Sequence, residues 1–145
     1  PIIRTKAQAD LLAIQKRFGT TIVFVTHDME EAIHLGDKIA VMDGGKVVQY
    51  ASPKEILSRP ATMFVDRLVG TGDRPFRYLS LSGVGDLVEQ GEASGAPIAR
   101  DASRRDALAE LLWSGRDVAP VADSAGATLG IIRRARLIAE AARPA

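Results

Sequence analysis

The amino-acid sequence predicts an α/β chain, and three observations carry that expectation. Residues 21–26, TIVFVT, form a short apolar run with β-branched bias that stops at Thr26-His27-Asp28 and gives way to a helix with acidic first turns. Residues 38–50 read as a strand, the tight turn Asp43-Gly44-Gly45 and a returning strand. From residue 83 onward the pattern runs helix, strand, helix, strand, strand, helix.

In chain order, Ile3, Ala7, Leu11, Ile14 and Phe18 recur at steps of four and three, which is one face of an amphipathic helix, and Gly19 stops it. The run 21–26 is expected to be a strand buried on both faces. Asp28 can cap the next helix, with Glu31 as its capping-box partner. That helix turns Met29, Ala32, Ile33 and Leu35 inward and ends at Gly36. After the strand pair, Ser52-Pro53-Lys54-Glu55 supplies a serine cap, a first-turn proline and a glutamate three residues after the cap. Arg59-Pro60 closes that helix, and residues 62–69 form another with Phe64, Val65 and Leu68 together. Gly70-Thr71-Gly72-Asp73-Arg74-Pro75 is polar and rich in turn residues, so 71–82 is expected to be a linker between units 1–70 and 83–145. In the second unit 83–90 is a short helix and 96–100 a short strand. Ser103 opens a helix through Leu108, Leu111, Leu112 and Trp113. Two strands, 117–122 and 128–133, precede an alanine-rich helix over 135–142. Trp113 is expected in the core or in a dimer contact.

Composition narrows the function classes. The 145 residues are 46% apolar with a net charge of +1, which argues against a broad basic surface and hence against nucleic acid. There is no cysteine for a disulfide or thiolate site, and the two histidines are too few for a typical zinc cluster. No apolar run approaches the roughly 20 residues that cross a bilayer, and the N-terminus lacks a signal pattern, so a soluble, intracellular-type chain is expected. A chain that starts at Pro1 and enters helical periodicity at once is expected to be part of a longer one.

A histidine at the C-terminal tip of a strand, just before a helix, sits where α/β folds place ligand-facing residues. TIVFVTHDMEEAI, KIAVMDGGKVVQY and SPKEILSRP follow one another at spacings that resemble the last third of the ATP-binding subunit of ABC transporters, and Pro1-Ile2-Ile3-Arg4 resembles the segment after that family's D-loop. The resemblance covers residues 1–68. It implies that His27 is the switch-loop histidine, the catalytic group that contacts the γ-phosphate or positions the attacking water. It also implies ATP and magnesium as cofactors of a parent subunit and membrane permease subunits as its partners. Its place is then cytoplasmic, peripheral on the inner face of the cell membrane. The chain has no G-x-x-x-x-G-K-[ST] loop, glutamine loop, LSGGQ-type signature or magnesium-binding Asp with catalytic Glu. No ATPase activity and no strong ATP binding are therefore expected of these residues alone. An unpartnered strand 21–26 would leave an open edge for a second copy, for exchanged elements or for partial disorder. His34 reads as a polar residue on a surface helix. Glu30 and Glu31 point apart on theirs and favour its N-terminus.

The second unit, from DASRRDALAELLWSG to LGIIRRARLIAEA, resembles a single repeat of cystathionine-β-synthase-type (CBS) domains. Such repeats work in pairs and often hold an adenine nucleotide, which implies a homodimer through this unit. Where the family places a Thr or Ser and a ribose-binding Asp, this chain has Arg133 and Arg136. That departure points to a cleft for an anionic phosphate ligand, held by Arg133 and Arg136 with Arg134 beside them, to an anionic membrane surface, or to a solvated basic helix start. Together the two resemblances suit the ATP-binding subunit of glycine betaine/proline/choline uptake systems with a regulatory tail. The alternatives are a stand-alone nucleotide-sensing or dimerisation module, and an ATPase subunit of an importer for another solute.

Overall fold

A computed structural model describes residues 2–142, with side chains from residue 6 onward. Pro1, the side chains of Ile2, Ile3 and Arg4, and the last three residues of the expected unit 83–145 lie outside the described residues. Along the chain the elements are α1 (Ile2–Phe18), α2 (Met29–Leu35), β1 (Ile39–Asp43), β2 (Lys46–Ala51), α3 (Pro53–Ser58), α4 (Met63–Val69) and α5 (Arg74–Ser80). A 3₁₀ turn (Val84–Leu87), β3 (Ile98–Ala99), α6 (Arg104–Trp113), β4 (Val118–Ala122), β5 (Thr128–Arg133) and α7 (Arg134–Ala141) follow. The α/β expectation holds, and from residue 84 the order of elements matches the pattern read from the sequence.

Two small cores organise these pieces. The first gathers Ile33, Ile39, Val41, Ile56, Leu57, Val65 and Val69 from α2, the β1–β2 hairpin, α3 and α4. β1 and β2 pair antiparallel from Ile39↔Ala51 to Asp43↔Lys46, so alternate residues of β1 face this core. The second gathers Leu79, Val84, Leu87, Ile98, Ala107, Leu108, Leu111, Ala119, Val121, Ile132 and Leu137. Its sheet has the order β3-β4-β5, parallel at the first pair and antiparallel at the second. Gly130 lets the chain cross closely here. Its φ is +148°, and a Cβ there would stand 2.3 Å from the Glu89 carbonyl oxygen.

Several expectations are corrected. Residues 21–26 pair with no strand among the described residues, and they are not buried: Val23 is 87% exposed and Val25 90%. A β-branched run is a strand only when a neighbour satisfies its backbone and covers its faces, and here none does. On α1, Ala7, Ile14 and Phe18 are exposed, whereas Gln8, Leu11, Leu12 and Gln15 are half-buried. Of the trio expected together on α4, only Val65 is buried; Val69 takes the inward place, one turn on, and Phe64 and Leu68 are partly exposed. On α6, Leu112 is exposed and Trp113, at 94%, is outside the core, because the buried stripe of Ala107, Leu108 and Leu111 leaves residue 112 at its flank and residue 113 on the opposite face. Within 71–82, residues 74–80 are helical, and Leu79 is fully buried. Arg74 and Pro75, read as turn residues, form the first turn of this helix.

Candidate functional site

The turn that carries His27 is held by polar groups on either side of it. Asp28 has extended backbone angles and caps α2, its Oδ1 accepting from the Glu30 and Glu31 amides at 2.9 and 3.4 Å. The capping box with Glu31 does not form. The Asp28 amide instead donates to Thr26 Oγ1 at 3.0 Å, while Thr26 Oγ1 donates to Glu31 Oε2 at 2.6 Å. Gln8 Nε2, from α1, donates to Glu31 Oε1 at 2.8 Å. Glu31 is buried and serves as the hub of the turn, because a buried carboxylate draws every donor within reach.

His27 itself is exposed. It lines an open cleft of about 410 Å³ whose walls come from α1 (Ala7, Gln8, Leu11), the extended segment (Phe24, Val25, Thr26) and α2 (Glu31, Leu35). Thr26 and Gln8 were not singled out by sequence reasoning. Thr26 lies inside the motif, but nothing in its pattern shows that its hydroxyl bridges Asp28 and Glu31. Gln8 lies on a helix face whose burial depends on what packs there.

Arg133 and Arg136 stand apart from this cleft, in the second core's sheet and helix. Arg133 Nε is 3.2 Å from Glu89 Oε2, and Arg136 Nη2 is 3.8 Å from Glu140 Oε1. Arg134 pairs with Asp117, and Arg104 Nη1 is 3.0 Å from Glu140 Oε2. An anion reaching this basic cluster would compete with a carboxylate at each guanidinium. Among the described residues no group of His, Asp and Glu could hold a metal ion. The sequence holds no phosphate-cradling loop, and the residues that line the cleft do not make a site for ATP and magnesium.

No family model matches the chain. It is 37% identical over 142 residues to the glycine betaine uptake system ATP-binding protein YehX of Escherichia coli (strain K12), a match that covers 97% of this chain and 46% of that protein. To the carnitine transport ATP-binding protein OpuCA of Listeria monocytogenes it is 49% identical over 70 residues, 48% of this chain and 18% of that one. The trehalose import ATP-binding protein SugC of Mycobacterium tuberculosis is 38% identical over 95 residues, 66% of this chain and 24% of that one. The chain thus spans less than half the length of each of these relatives. No helix among the described residues is long and apolar enough to cross a membrane. The homologues of this chain are ABC ATP-binding subunits, those of glycine betaine, osmoprotectant and carnitine import among them.

Proposed function

We propose that these 145 residues form the C-terminal part of the ATP-binding subunit of an ABC importer for glycine betaine-type osmoprotectants. His27 is its switch histidine and the second core its regulatory tail. One observation carries this reading: the match to the glycine betaine relative runs over 142 residues and so includes both cores. The geometry is compatible, since the bonds among Thr26, Asp28 and Glu31 fix the backbone on either side of His27 and leave its imidazole exposed. ATP and magnesium would bind largely through groups outside these residues. The permease subunits, the peripheral cytoplasmic location and the division into units 1–70 and 83–145 belong to the same proposal. So do a CBS-type identity for the tail, an anionic ligand or adenine nucleotide there, and pairing of two copies.

The reading of the gene ahead of the Pro1 codon tests it. An in-frame G-x-x-x-x-G-K-[ST] loop and LSGGQ-type signature are expected. A reading frame without either would overturn the transporter assignment and leave the stand-alone module. Calorimetric titration of adenine nucleotides tests the tail separately, with loss of binding in an Arg133→Ala, Arg136→Ala variant as the expected result.

A further inference from the structure

α5 touches both cores at once. Leu79 is fully buried in the second core, while Tyr78 and Leu81 pack against the first. Its contacts run to α3 on one side and to α6 and α7 on the other. Two arginines of α5 reach back into the first half. Arg74 Nη2 donates to Asp66 Oδ1 at 2.6 Å and to the Asp66 carbonyl at 3.1 Å. Arg77 Nη1 donates to the Val69 carbonyl at 2.8 Å, and Arg77 Nε lies 3.6 Å from Glu30 Oε1. Arg77 is largely buried, its side chain 17% exposed, and among the described residues its Nε has no hydrogen-bond partner. Glu30 is three residues beyond His27, and its amide is one of the two that the Asp28 cap holds.

We propose that Arg77 is a positioning residue that couples the second core to the His27 turn, through its ion pair with Glu30 at the start of α2. A shift of α5 that follows repacking around Leu79 moves a guanidinium anchored at the end of α4, and with it the first turn of α2. The coupling is independent of His27's chemistry. Only its use, as the route by which the tail adjusts a phosphate-contacting histidine, rests on the proposed function. A failed nucleotide assay would therefore leave the coupling untouched.

Amide hydrogen exchange at Glu30 and Glu31 in the 145-residue chain tests it, read by NMR in wild type, Leu111→Ala, Arg77→Gln and the double variant. Leu111 is buried in the second core, on α6. Leu111→Ala is expected to speed exchange at both amides about threefold, the size that an ion pair with one exposed partner can transmit. That effect is expected to vanish once Arg77→Gln is present, and Glu30→Gln is expected to abolish it equally. Unchanged amides in Leu111→Ala, or the same acceleration with and without Arg77, would overturn the proposal. Where Leu111→Ala unfolds the tail, Ile132→Val serves with the same two outcomes.

Discussion

Thr26 and Glu31 hold each other across the turn that presents His27, hydroxyl to carboxylate at 2.6 Å, and the same hydroxyl accepts from the Asp28 amide. A valine at 26 keeps the shape and removes both bonds, leaving a buried carboxylate with one donor fewer. Thr26→Val is expected to cost about 1–3 kcal/mol in urea denaturation, and to speed amide exchange at Asp28 more than at residues of β1. Equal stability would show that the bridge is dispensable.

α3 contains the full capping box that α2 lacks. The Ser52 hydroxyl and amide both donate to Glu55 Oε2, at 2.7 and 2.9 Å, and the Glu55 amide returns to Ser52 Oγ. These bonds from Ser52 hold the Glu55 carboxyl below its ordinary pKa, the side-chain bond contributing most. Because the folded pKa is the lower one, the stabilisation is complete above the unfolded-state carboxylate range and fades as pH falls toward the folded value. Fraying of α3, followed by the Cα shifts of residues 53–56, is expected to begin below that range and to be absent from the acid titration of Glu55→Gln. Ser52→Ala is expected to cost about 1 kcal/mol at neutral pH.

Two tail glycines make opposite demands. At Gly130 an added Cβ meets the Glu89 backbone at 2.3 Å, whereas at Gly126, with φ +85°, it meets nothing within 4 Å. Gly126→Ala pays only for left-handed backbone, about 1 kcal/mol. Gly130→Ala must also push the 88–91 segment off β5, so a loss of about 3 kcal/mol or more is expected in thermal unfolding.

Leu111 and Trp113 separate the core from the surface of α6. Leu111 is fully buried and Trp113 almost fully exposed. Leu111→Ala is expected to cost about 2–5 kcal/mol and Trp113→Ala less than about 0.5 kcal/mol in a monomer. A large concentration-dependent cost at Trp113 would identify it as a contact between copies.

Much of this was legible in the sequence because local chemistry decides it. Ser52, Ser103 and Asp28 cap the helices that their residue types announce, and Asp43-Gly44-Gly45 turns the hairpin. The errors fall where neighbours decide. TIVFVT reads as a strand by composition, but a strand needs a second one, and the described residues offer none. Glu31 suits a capping box by spacing, yet Gln8 and Thr26 compete for its carboxylate. The helix at 74–80 follows a cluster of turn residues, and its hold on two cores comes from Arg77 and Leu79, whose partners are remote in sequence. His27 could be picked out from the motif around it, but the strand whose tip it was expected to occupy does not form among the described residues, and its exposure is a fact of packing.

The most direct test of the proposed function is ATP turnover by the longer subunit it implies, with a phosphate-binding loop ahead of these residues, measured beside ATP affinity for wild type and His27→Ala. If His27 orients water or steadies charge at the terminal phosphate, turnover falls by about 100-fold or more while affinity changes little. Turnover equal to wild type would contradict the assignment of His27, and with it the functional reading of the turn that Thr26, Asp28 and Glu31 hold in place.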